Sequence, residues 1–234
     1  MLVYDPEQLQ THILQMEQAG LVTRTFRRLD AARQLAIIQA TLEEAVASGP
    51  SQLNIKQVAE RAGVAVGSLY QYFENRDGLL AFISDLCVRL MTDMFALARP
   101  YLLAMPLRDA LQAYVGGGLE WGEAQAELLR FFARAAYHSD SELSEQVVRP
   151  IADTMRQLAH DLLAQAVERG EVRPDIDLDS TARLIHAWSI AAGDSQLLPY
   201  LNTYFQVTGD GVTPERSFDA FIALILQGIG PPTP

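Results

Sequence analysis

Residues 54–80 of the chain, NIKQVAERAGVAVGSLYQYFENRDGLL, carry the spacing that most constrains its fold. Ile55, Val58, Ala59 and Ala62 fall at i, i+3, i+4 and i+7, the period of an amphipathic helix, and Gly63 supplies the left-handed turn that ends it. A second helix starts within about three residues, too soon for an ordinary loop. On a wheel of about 100° per residue, Leu69 and Phe73 share its inner face, Gly67, Ser68 and Gln71 lie opposite, and Tyr70 and Tyr72 flank that outer face. Two helices this short enclose no core of their own, so the unit is built to present a surface.

The outward residues suit a DNA groove. Gly67 has no side chain to hold the helix off, Ser68 and Gln71 can exchange hydrogen bonds with base edges, and the hydroxyls of Tyr70 and Tyr72 can reach phosphate oxygens. Asn75 reads as the N-cap of the next helix, with Asp77 in its first turn. The free amides of that helix and Arg76 then offer a second phosphate anchor.

The stretch AGVAVGSLYQYFENRDGLL, with VAERAGV before it, resembles the DNA-binding domain of the TetR family of bacterial transcriptional regulators. Arg33, Ile37, Ile38, Ala40, Thr41, Ala45 and Gly49 match the spacing of that family's first helix, so the resemblance covers roughly 27–90. It implies that Lys56 reaches a base or phosphate, that Gly67, Ser68 and Gln71 face the major groove, and that Tyr70, Tyr72 and Arg76 grip the backbone. Two positions depart from the family pattern: Ala65 stands where a capping Ser is usual, and Val66 where a polar or basic residue is common. A missing cap costs about 1 kcal/mol.

Charge is unevenly spread. Residues 24–90 hold eight Lys or Arg against seven Asp or Glu, whereas residues 91–234 hold ten against nineteen, so about −9 of the net charge of −11 belongs to the second part. A near-neutral headpiece must bring a few arginines to phosphates locally, which predicts salt-dependent, selective binding rather than indiscriminate attraction to nucleic acid. The single Cys87, within LLAFISDLCVRL, reads as a core thiol. The start of the chain lacks a secretory pattern and no stretch is apolar enough to span a membrane, so a soluble, cytoplasmic protein is expected. Ahead of the headpiece, PEQLQTHILQMEQAG reads as an amphipathic helix with Leu9, Ile13, Leu14 and Met16, closed by Gly20, that packs on the body or on a partner subunit. Arg24, Arg27 and Arg28 follow as either a backbone-hugging arm or a solvated linker.

Beyond residue 90 the pattern is a series of helices separated by breakers. Pro100 and Pro106 interrupt it, Gly116–Gly118 bends or ends the next segment, and residues 124–137 form an apolar stripe. Residues 151–168 make an amphipathic helix capped by Gly170; Asp179 or Ser180 caps the helix bearing Ala182, Ile185, Ala187 and Ile190; Thr213 caps a last helix over 214–227. The last two helices are apolar on more than one face, which one subunit does not need and an isologous homodimer does. The resemblance implies the same pairing, a four-helix interface, and with it two recognition helices about 34 Å apart on a palindromic double-stranded DNA operator.

The resemblance also implies an effector pocket for a small molecule of unspecified class in the larger domain, with Tyr114, Trp121, Phe131, Phe132, Tyr137, His138, His186 and Trp188 as candidate lining; each aromatic has a core reading beside the pocket reading. An enzyme is the competing class. His12, His138, His160 and His186 are scattered with no i, i+4 pair and no cysteine cluster, and neither a nucleophile elbow nor a phosphate-binding glycine loop is present, so no catalytic residue, metal or cofactor is assigned. The expectation is an all-α homodimer with an N-terminal extension (1–23), a three-helix helix-turn-helix DNA-binding domain (24–90) and a helical effector-binding and dimerisation domain (91–234). It acts as a repressor released by its effector, with an activator, or a ligand-binding dimer without operator binding, as the alternatives.

Overall fold

The computed structural model describes residues 5–137 and 141–231, with side chains left out over 115–125. Among the described residues the regular structure is helical and contains no strand: α1 (Pro6–Gln18), α2 (Arg24–Arg27), α3 (Ala31–Ser48), α4 (Ile55–Ala62), α5 (Val66–Phe73), α6 (Arg76–Ala104), α7 (Leu107–Ala136), α8 (Ser141–Leu143), α9 (Arg149–Glu168), α10 (Leu178–Leu197), α11 (Pro199–Phe205) and α12 (Pro214–Ile229). A 3-10 turn at Pro50–Gln52 precedes α4 and a π-helical turn at Ser144–Val148 precedes α9. The all-α expectation therefore holds.

The chain divides into two compact units, Met1–Met91 with Ala124–Pro150, and Thr92–Glu123 with Ile151–Pro234. This differs from a single break after residue 90, because the second half of α7 belongs with the N-terminal unit. Helix α7, 30 residues long, contributes residues to both units. Its breakers do not break it. Each glycine in a helix interior costs about 1 kcal/mol relative to Ala, and Gly116–Gly118 are outweighed by buried Leu107, Ala110 and Leu111 on one side and Leu128, Phe131 and Phe132 on the other. Pro100 likewise lies inside α6, where Phe95, Ala98, Leu102 and Leu103 hold the flanking turns against the core of the second unit.

In the first unit, Phe26 is fully buried, with its ring 5.0 Å from Phe73, 5.2 Å from Phe82 and 5.8 Å from Tyr72. Ile37, Ile38 and Leu42 of α3, Val58 of α4, Leu69 of α5 and Leu79 and Ile83 of α6 complete that core with no exposed surface. Helix α1 packs into this unit: Leu9, Ile13 and Met16 are buried, the Gln10 amide donates to Gln34 Oε1 at 2.6 Å, and Arg89 donates to Gln15 Oε1 at 2.7 Å. Arg27 of α2 pairs with Glu17 of α1. Arg134 of α7 donates to the carbonyls of Val46 (3.0 Å) and Ala47 (3.3 Å) in the last turn of α3.

The second unit is centred on Leu107, Leu111, Leu158, Leu162, Leu163, Ile185 and Ile222. Helix α10 starts on Asp177, whose carboxylate accepts from the Ser180 amide (3.0 Å) and hydroxyl (2.6 Å), two residues ahead of Asp179 and three ahead of Ser180, the caps expected from sequence. Those hydrogen bonds from Ser180 hold the Asp177 carboxyl below the usual range. Thr213 caps α12 as expected, accepting from the Arg216 amide. Among the described residues no helix is long and apolar enough to cross a membrane.

Candidate nucleic-acid interface

Helix α4 opens on the Asn54 side chain, which accepts from the Lys56 amide at 3.0 Å, and closes on Gly63 in the left-handed region (φ 66°). The amides of Gly63 and Val64 bond back to the carbonyls of Glu60 and Ala59, so the exposed end of α4 is satisfied before the chain turns. Helix α5 starts at Val66, its N-cap Ala65 supplying no side-chain bond. Leu69 and Phe73 are buried against the core while Gly67, Tyr70 and Gln71 are exposed; Ser68 and Val66 are half-buried at the margin. Lys56 is exposed on α4. A two-turn helix is thus held by one face and offers the other to a partner.

Two candidates sit differently from the sequence expectation. Tyr72 does not flank the outer face: it is 7% exposed, its ring lying beside Phe26 and edge-on to Phe73. Phe26, from an element outside the helix-turn-helix pattern, covers that flank. Arg76 is not a free anchor, since its guanidinium donates to the Asp77 carboxylate at 2.6 and 2.8 Å and to the Ser51 carbonyl at 2.9 Å. Asn75 caps α6 as expected, accepting from the Gly78 amide at 2.8 Å.

Between α5 and α6 the chain turns sharply. Glu74 has φ 66° and ψ −55°, and the Asn75 amide bonds to the Phe73 carbonyl at 2.7 Å, a three-residue turn of a rare, strained class. Gly78 then passes so close that a Cβ there would lie 2.1 Å from the Phe73 carbonyl oxygen. The last carbonyls of α5 are all used: Tyr70 by the Glu74 amide, Gln71 by the Thr23 hydroxyl (2.9 Å), Tyr72 by the Thr23 amide (3.0 Å) and Phe73 by Asn75. Thr23, Phe26 and Gly78 position the helix without having stood out in the sequence. Only Gly78, a glycine in the first turn of a helix, carried a visible signal.

The effector candidates fall in both units. Phe131, Phe132 and Tyr137 belong to the first unit; Tyr114, His186 and Trp188 belong to the second. His138 and the Trp121 side chain lie outside the described residues. Trp188, half-buried, stacks on Phe221 at 4.0 Å and meets Phe218 edge-on at 5.2 Å. The Tyr114 hydroxyl donates to the Met155 carbonyl at 3.4 Å, and burial pushes its pKa up. His186 Nδ1 is buried with no hydrogen-bond partner, and burial, then the Arg156 charge, push its pKa down.

Two family models match the chain: bacterial regulatory proteins, tetR family, over residues 37–83, and the transcriptional regulator SbtR-like C-terminal domain over residues 107–214. The HTH-type transcriptional regulator BetI of Escherichia coli is 31% identical over 141 residues, 58% of this chain and 69% of that protein. The chain belongs to the TetR family. The HTH-type transcriptional regulator SAR0097 of Staphylococcus aureus is 28% identical over 123 residues, and the match spans only 63% of its length. The crystal structure of FadR from Bacillus subtilis in complex with stearoyl-CoA shares the TetR fold at a TM-score of 0.60, with 18% identity, covering 83% of this chain and 98% of that one. TetR-family proteins are DNA-binding transcriptional regulators rather than enzymes; they bind operators as dimers and typically respond to small-molecule effectors. The tetR match spans α3 to the start of α6, so α1 and α2 lie outside it.

Proposed function

We propose that this TetR-family protein is a cytoplasmic repressor that holds a palindromic operator as a homodimer and releases it when a small molecule binds its helical C-terminal unit. The observation that carries the reading is the two-sidedness of α5: Leu69 and Phe73 locked inside, Gly67, Tyr70 and Gln71 outside. Gln71 and Ser68 supply base-edge hydrogen bonds, Tyr70 and Lys56 the phosphate contacts. Arg76 joins them only by exchanging Asp77 for a phosphate, and the buried Tyr72 ring acts chiefly by holding α5 in place.

Dimerisation through α10 and α12 is supported by exposed apolar side chains on both, Leu184 at 64% and Leu224 at 69%, with exposed Ala187 and Ala220 permitting close helix approach. Repression needs only occupancy of a promoter, so it requires no further surface. Selection of genomic fragments by the purified protein at moderate salt tests the reading. Enrichment of a dyad-symmetric sequence supports it; failure to enrich any sequence, with the protein folded, leaves a ligand-binding dimer without operator function.

A further inference from the structure

We infer that Thr23 is a positioning residue for operator recognition: from the N-terminal extension it clasps the C-terminal end of α5 and holds the backbone of Gln71 in the pose that reads DNA. This rests on α5 being the reading helix. Thr23 stands at the N-cap of α2, where a threonine hydroxyl would ordinarily accept from an amide of its own helix, yet it caps nothing there. Its hydroxyl donates instead to the Gln71 carbonyl at 2.9 Å, and its amide to the Tyr72 carbonyl at 3.0 Å.

Helix α5 needs such a clasp. It has eight residues, too few to persist alone, an N-terminus without a side-chain cap, and a strained turn directly behind it. The clasp is itself anchored. Phe26, three residues on, is buried against Tyr72 and Phe73, while Gln34, fully buried on α3, donates to the carbonyls of Phe26 (3.1 Å) and Arg27 (3.2 Å) and accepts from Gln10 of α1. A continuous path of bonds therefore runs from α1 through α3 and α2 to the carbonyl of the residue whose side chain faces outward. The extension, which lies outside the tetR match, sets the end of the reading helix.

The test compares Thr23→Val, which keeps shape and the amide bond but removes the hydroxyl, with Thr23→Ser, which restores it. Hydrogen exchange of the free protein over residues 69–75, and affinities for the selected operator and for unrelated DNA, are measured on all three full-length proteins. The inference predicts faster exchange over 69–75 in Thr23→Val, about a three- to tenfold loss of operator affinity, the size of one hydrogen bond, and a smaller loss on unrelated DNA. Thr23→Ser returns all three towards wild type. Unchanged exchange and an unchanged operator-to-unrelated ratio in Thr23→Val overturn the inference, as does an equal loss on both DNAs. If the wild type prefers no sequence, the reading of α5 itself fails, whatever the exchange data show.

Discussion

Gly78→Ala is the sharpest perturbation of the headpiece. The added Cβ would sit 2.1 Å from the Phe73 carbonyl oxygen and 3.2 Å from its carbon, and a normal contact requires that carbonyl to retreat by about 1 Å. The carbonyl is not free to do so, because it accepts the 2.7 Å bond from Asn75 that closes the turn, and Asn75 in turn caps Gly78. Overpacking against backbone costs about 1–3 kcal/mol, and losing the turn bond and the cap adds about 1 kcal/mol each. The better helix propensity of alanine returns about 1 kcal/mol. The net loss is about 2–4 kcal/mol, a fall in Tm of roughly 5–15 °C for a chain of this size. Thermal denaturation followed by circular dichroism reads it. Gly67→Ala is the control, since nothing lies within 4 Å of its Cβ: there Tm holds or rises slightly while operator affinity falls, because the new methyl stands in the groove. A Gly78→Ala protein as stable as wild type would refute the account of the turn.

Gln71→Ala should change which operator sequence is preferred, whereas Lys56→Ala should weaken all sequences alike and reduce the slope of log K against log salt by about 1; selection and salt titration separate them. Leu224→Glu on α12, at a side chain 69% exposed in the single chain, should shift the protein to monomer in analytical ultracentrifugation with little change in helical content. His186 has a folded pKa below its unfolded value because burial disfavours the cation, so below about pH 6.5 the unfolded state takes up more protons and stability falls with falling pH. His186→Gln should flatten that fall in denaturant titrations between pH 7.5 and 5.5.

The helix-turn-helix was legible because its signals are local. The period of Ile55, Val58, Ala59 and Ala62, the left-handed Gly63 and the Asn75 cap each act within a turn or two, and each is found where the spacing put it. What the sequence hid depends on long-range packing. The burial of Tyr72 follows from Phe26, 46 residues earlier, and the clasp of α5 follows from Thr23, neither of which any periodicity links to the headpiece. The breakers misled for the same reason, since Pro100 and Gly116–Gly118 weaken a helix locally while the cores at either end hold it. The candidate pocket residues stand out only by their chemistry, which carries no information about which of them pack together, and they fall in both units.

In the proposed function the outer face of α5 enters a major groove twice per dimer. Hydroxyl-radical footprinting on the selected operator measures this directly: two dyad-related protected patches are expected, centred about one helical turn, roughly 10 base pairs, apart, with Gln71→Ala relaxing preference at symmetric positions in both. A single patch, or two patches whose sequence preference ignores residue 71, would contradict it.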